Sequence, residues 1–114
     1  MMIRLNSNEI RFRLSQTEVR HLLDRGSLRE NVVLPSSQLS FCVKPLSDSE
    51  KVSRVSQEGE QITFWLASDD QAKLSLSPPR TDPIAVVEYI LGEKKTVFTL
   101  DVDAFNAKQR GNKK

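Results

Sequence analysis

Three arginines stand where an anion could be gripped. Arg4 lies in the short stretch Met2 to Leu5, while Arg11 and Arg13 alternate with Ile10, Phe12 and Leu14 in the next. Residues two apart on a strand share a face, and Asn6-Ser7-Asn8 between the stretches has the composition of a tight turn. A hairpin that sets Leu5 opposite Ile10 also sets Ile3 opposite Phe12 and Arg4 opposite Arg11. Every apolar side chain then falls on one face, and Arg4, Arg11 and Arg13 on the other. Guanidinium groups are flat, permanently charged forks suited to phosphate and carboxylate oxygens. Facing arginines repel, so this face needs anions: the protein's own carboxylates, with Glu9, Glu30, Glu88 and Asp101 as candidates, or a bound ligand. Pairing within the protein is the more ordinary arrangement on a solvated sheet face.

Other reactive residue types are sparse. His21 is the single histidine and has arginines for neighbours, which suits a boundary position better than a metal ligand. Cys42 is the single cysteine, so neither an internal disulfide nor a thiolate cage for a metal can form, and it reads as an incidental thiol. The carboxylate pairs Asp101/Asp103 and Asp69/Asp70 lack the rest of a calcium loop and read as solvated acids. No phosphate-cradling glycine loop, nucleophile elbow or His-Glu-x-x-His is present, and no cofactor is expected. Trp65 alternates with Phe64 and Leu66, so it should point away from the main core, under a helix or loop or toward a partner.

These residues must be positioned by a modest scaffold. The chain has 114 residues with 38% hydrophobic and 28% charged content, enough for one core. Its formal charge is +2, part of it from Lys108, Arg110, Lys113 and Lys114, so the body is near neutral and disfavours nucleic acid as partner. No run approaches the roughly 20 apolar residues of a membrane span, and Met1 to Asn6 does not resemble a secretory signal, so a cytoplasmic protein is expected.

The spacing predicts strands over 2–5 and 9–14, then a helix over 16–25. Ser15-Gln16-Thr17-Glu18 supplies its capping box and Gly26 its left-handed stop. Further strands are expected around Leu28 to Leu34, Leu39 to Val43, Val52 to Ser56, Ile62 to Leu66, Ile84 to Leu91 and Thr96 to Val102, with a single helical turn at 69–73. The segment Ile84 to Leu91 is apolar at both parities, as a strand buried on both faces is. Because the connections are short, the expected fold class is α+β: a mainly antiparallel, strongly bent sheet or partly open barrel of about eight strands with one N-terminal helix. It forms one domain over 1–107 with a disordered basic tail over 108–114, and no internal repeat is evident.

The stretch Asn6-Ser7-Asn8-Glu9-Ile10-Arg11-Phe12-Arg13-Leu14-Ser15-Gln16-Thr17-Glu18-Val19 resembles the opening of a family of short bacterial proteins of unknown function, in which an Ile-Arg-Leu-Arg-Leu strand runs into a capped Ser/Thr-x-Ser/Thr-Glu-Val helix. The resemblance supports the strand-to-helix reading and implies no activity. Arg11-x-Arg13 is also similar to the charged alternation inside triphosphate-binding tunnel enzymes, but the paired glutamates that hold the metal in that family's first strand are absent. The sequence therefore points to a non-enzymatic binding or protein-interaction module with a protein partner or a homodimer, meeting it through strand edges or Trp65. The alternative is a small-anion or nucleotide-phosphate binder that uses Arg4, Arg11 and Arg13.

Overall fold

The computed structural model of the protein describes residues 1–75 and 83–103. The expected domain end at 107 and the basic tail 108–114 lie outside the described residues. β1 (Met2–Leu5) and β2 (Glu9–Leu14) form the first hairpin in the anticipated register, with Arg4 opposite Arg11 and Ile3 opposite Phe12. The chain passes straight into α1 (Gln16–Arg25). The Ser15 hydroxyl accepts from the Glu18 amide at 3.2 Å, and the Glu18 carboxylate accepts from the Ser15 amide at 2.9 Å. Replacing Ser15 with alanine is therefore expected to cost about 1 kcal/mol, read as a lower urea midpoint.

Gly26 ends α1 at φ 88°, and its amide donates to the Leu22 carbonyl at 2.8 Å. A Cβ added there meets nothing within 4 Å, so Gly26→Ala isolates the backbone strain of a left-handed residue, about 1 kcal/mol. A thermal midpoint lowered by roughly 4–8 °C is the expected reading. An unchanged midpoint would show that the helix does not end at this residue.

Beyond α1 come β3 (Leu28–Val33) and β4 (Gln38–Pro45), then β5 (Arg54–Glu58) and β6 (Gln61–Leu66), α2 (Ser68–Ser75), β7 (Ala85–Leu91) and β8 (Lys94–Val102). The strands form two separate four-stranded sheets, in the orders β1-β2-β8-β7 and β3-β4-β6-β5. In each sheet two antiparallel hairpins meet through a central parallel pair, β2 with β8 and β4 with β6. This corrects the expectation of one bent sheet or barrel. It also corrects the single helix: α2 is a second one rather than a lone turn at 69–73. Short connections do impose antiparallel pairing within each hairpin. The hairpins themselves are joined by longer segments that carry α1, α2 and the loop after β4, and these leave parallel contact open.

The two sheets are related by an internal two-fold that the sequence reading missed. A shift of 52 positions carries Phe12 onto Phe64, and with it β1, β2 and α1 onto β5, β6 and α2, so that Ile10-x-Phe12-x-Leu14 matches Ile62-x-Phe64-x-Leu66. The pair Met2↔Arg13 then becomes Arg54↔Trp65, and the parallel pair Phe12↔Leu100 becomes Phe64↔Val43. Each half is thus hairpin, helix, hairpin, and its two hairpins enter different sheets. Even the helix entries correspond. In the second half, where Ala67 replaces the capping serine, the Ser53 hydroxyl accepts from the Ala67 amide at 2.8 Å and donates to Asp70 at 2.5 Å.

The core lies between the sheets. Phe12, Leu14, Ile84, Ala85 and Leu100 from the first meet Phe41, Val43, Val55, Phe64 and Leu66 from the second, with Val19 and Leu22 of α1 and Leu74 of α2 added to the cluster. Phe12 presents its ring at 5.8 Å to Phe41 and at 5.3 Å to Phe64, both close to perpendicular, the geometry in which ring edges and faces attract. Both sheets turn their polar faces outward, and these faces and the strand edges hold the candidate sites. No helix among the described residues is long and apolar enough to cross a membrane.

Candidate functional site

The outer face of the first sheet carries the three arginines. Parallel pairing of β2 with β8 sets Arg11 beside Thr99 and Arg13 beside Asp101. The Asp101 carboxylate lies 3.3 Å from Arg13 Nε and 3.8 Å from Arg11 Nε, while Arg11 Nη2 lies 3.2 Å from Glu9. The Thr99 hydroxyl donates to the same Glu9 oxygen at 3.4 Å. Asp101 is only 8% exposed, so the expectation that it is a solvated acid is corrected. Arg11 and Arg13 form a closed network with two carboxylates of their own sheet, and Glu30 and Glu88 are used elsewhere, at the N-terminal amine and at Lys95.

Arg4 stands apart. It is exposed, faces Arg11 across the hairpin, and makes no ion pair among the described residues. Arg11 Nε is shut off from solvent without a hydrogen-bond partner. The hollow of about 400 Å³ next to Arg13 is lined also by Glu18 and Asp103, and carboxylates there oppose an anion.

Trp65 sits on the face of the second sheet opposite Phe64 and Leu66, as alternation places it, and is partly buried there. Lys44 and Arg54 flank it on the neighbouring strands. Lys44 Nζ lies 5.7 Å and Arg54 Cζ 5.3 Å from the ring, and the indole N–H donates to Ser56 at 2.8 Å. Two cations over the π system and a satisfied N–H stabilise a half-buried tryptophan in place. Among the described residues its cover includes these two long cationic side chains. A ring held in this way has little face left for a partner. Cys42 is buried and reduced, and His21 is an exposed residue of α1. Among the described residues no group of three His, Cys, Asp or Glu side chains could hold a metal ion.

The third candidate is β7. The sequence reads it as a strand buried on both faces, but among the described residues it is the outermost strand of its sheet and pairs with β8 alone. Val86 is 53% exposed, Ile90 68% and Leu91 85%. Tyr89 is half exposed too, although its hydroxyl donates at 2.9 Å to the Val55 carbonyl of β5 and its ring meets Phe98 edge to face. The remaining edge strands are shorter or more polar: β1 has 4 residues, β3 reads Leu-Arg-Glu-Asn-Val-Val and β5 reads Arg-Val-Ser-Gln-Glu. Among the described edge strands, β7 alone combines length, exposure and a largely apolar sequence, broken by Glu88.

The described strands and helices together define a two-sheet, internally two-fold α+β domain. Over residues 1–104 the chain matches the family described as Family of unknown function (DUF7009), and it belongs to that family. No curated protein and no solved structure matches it.

Proposed function

We propose that the protein is a non-enzymatic interaction module that docks an extended polypeptide strand along β7. The observation that carries this reading is the mismatch between the composition of β7 and its place in the fold. Seven residues, apolar at both parities apart from Glu88, form an edge that no other described strand pairs with. Edge strands are ordinarily short, charged or kinked, because unpaired N–H and C=O groups recruit further strands. A long, largely apolar edge instead offers main-chain hydrogen bonds for affinity and side-chain contacts on both faces for selectivity.

Amide hydrogen exchange tests it. β7 is followed at rising protein concentration, and again with a soluble probe peptide of alternating valine and threonine between lysine ends. Protection of 85–91 above that of the short edge β1 is expected in at least one series, and is expected to vanish in an Ile90→Lys, Leu91→Lys variant. Exchange in β7 as fast as in β1 under both conditions sinks the docking reading.

A second reading, small-anion binding, is favoured by one observation: Arg4 is exposed and makes no ion pair among the described residues, beside Arg11, whose Nε makes no hydrogen bond there. Arg4→Ala probes it without disturbing the Asp101 network. Under this reading the wild type is stabilised by saturating pyrophosphate or triphosphate and the variant is not, as mass action requires. Equal melting of both proteins with and without these anions excludes it.

A further inference from the structure

We infer that the strand β7 receives is β7 of a second copy of this chain, in an antiparallel dimer whose two-fold axis passes beside Glu88 and joins the two first sheets into one. The inference rests on the docking reading above and names its partner. Its basis is the symmetry of the strand itself. An axis perpendicular to the sheet pairs residues equally far on either side of one central position.

With Glu88 at the centre, Ala85 faces Leu91, Val86 faces Ile90 and Val87 faces Tyr89 of the other copy. All seven positions are then used, and apolar meets apolar at every one except the centre. Moving the centre to Val87 places Glu88 against Val86, and moving it to Tyr89 places Glu88 against Ile90. Both leave a carboxylate facing an apolar side chain, which costs desolvation without a partner. The Glu88 register sets Val86 of each copy against Ile90 of the other, giving two apolar pairs on the outer face, one on either side of the axis, and covering surface that is open in the single chain.

The charges at the centre fit as well. Two facing carboxylates repel, but each Glu88 lies 3.8 Å from Lys95 on its own β8. The axis therefore gathers two carboxylates bracketed by two ammonium groups, a neutral set of four. A strand built to stay single would carry its charge where pairing could not compensate it. Glu88 also confers selectivity: a foreign apolar strand docked here would set an uncompensated side chain against it.

The closing experiment places one cysteine at a time in the full chain, where the native Cys42 is buried. On the axis, Glu88→Cys brings two thiols onto directly opposed residues, whose Cα separation of roughly 4.5–5.5 Å suits a disulfide. Val86→Cys leaves its two copies roughly 13 Å apart along the strand direction, out of range. Expected are a wild type that sediments as a dimer, near-complete oxidative cross-linking of Glu88→Cys and none of Val86→Cys. Glu88→Lys, which leaves four ammonium groups and no carboxylate at the axis, should associate at least several-fold more weakly. A dimer that cross-links at position 86 and not at 88 overturns the inference. So does a wild type that stays monomeric at hundreds of micromolar while peptide-dependent protection of β7 persists, and that result leaves the docking reading standing.

Discussion

Phe12→Ala is expected to remove about 3–5 kcal/mol of stability, a large part of what a domain of this size has. Phe12 has no exposed surface and is the residue of the first sheet that meets both Phe41 and Phe64 of the second. Truncation deletes the transfer energy of a phenyl ring and leaves a cavity between two sheets. Those sheets cannot close on it easily, because β2 and β8 on one side and β4 and β6 on the other are fixed by parallel hydrogen bonding. Urea unfolding of the variant beside Leu5→Ala, which is 61% exposed and should change little, gives the comparison. The internal two-fold adds a condition: Phe64→Ala removes the equivalent ring and should cost about as much. A loss under about 1.5 kcal/mol for Phe12 alone would show that the sheets do not pack through it.

How much of this was legible follows from the distance over which each feature is determined. The register of β1 against β2 was readable because a two-sided pattern and a three-residue turn leave one arrangement that keeps Ile3, Leu5, Ile10, Phe12 and Leu14 together. The ends of α1 were readable because Ser15, Glu18 and Gly26 act on backbone groups within four residues of themselves. α2 was harder, because Ala67 has no side-chain oxygen for the first-turn amides, and the Ser53 hydroxyl that accepts from the Ala67 amide comes from before β5. No local pattern announces that.

The parallel joints β2–β8 and β4–β6 were not legible. Turn chemistry specifies which strands follow one another, and says nothing of which hairpins meet. Two points about the sites turn on this one gap. Asp101 reads both as a solvated acid and as one of four candidate partners for the arginines, and the pairing of β8 with β2 is what selects it, with Glu9, as the partner. β7 looked internal because apolar side chains at both parities report that both faces avoid water, and cannot report whether the cover comes from the same chain. The placement of Trp65 on the outer face was correct, since alternation decides it. Its cover was not readable, since Lys44 and Arg54 reach it from adjacent strands.

Asp101→Ala carries the second large effect, expected at about 2–3 kcal/mol. Its carboxylate is the acceptor that Arg11 and Arg13 share, at 3.8 and 3.3 Å, in a place where Asp101 itself is almost fully covered. Removing it leaves two cations near each other with Glu9 as the one remaining anion, and an unpaired partner in partly dry surroundings costs more than the lost bond gained. The cost stays below that of a deeply buried pair, because the two arginine side chains keep about a third of their surface in water and can turn toward it. Asp101→Asn preserves an acceptor oxygen and should lose about 1 kcal/mol.

The alanine variant also opens, between two arginines, the anion position that the intact sheet fills with its own side chain. Phosphate in large excess should therefore raise the melting temperature of Asp101→Ala more than that of the wild type. Such a result identifies the carboxylate as an internal occupant of an arginine site. Equal responses would mean that Arg11 and Arg13 separate once Asp101 is gone, and that the carboxylate creates the site as well as filling it.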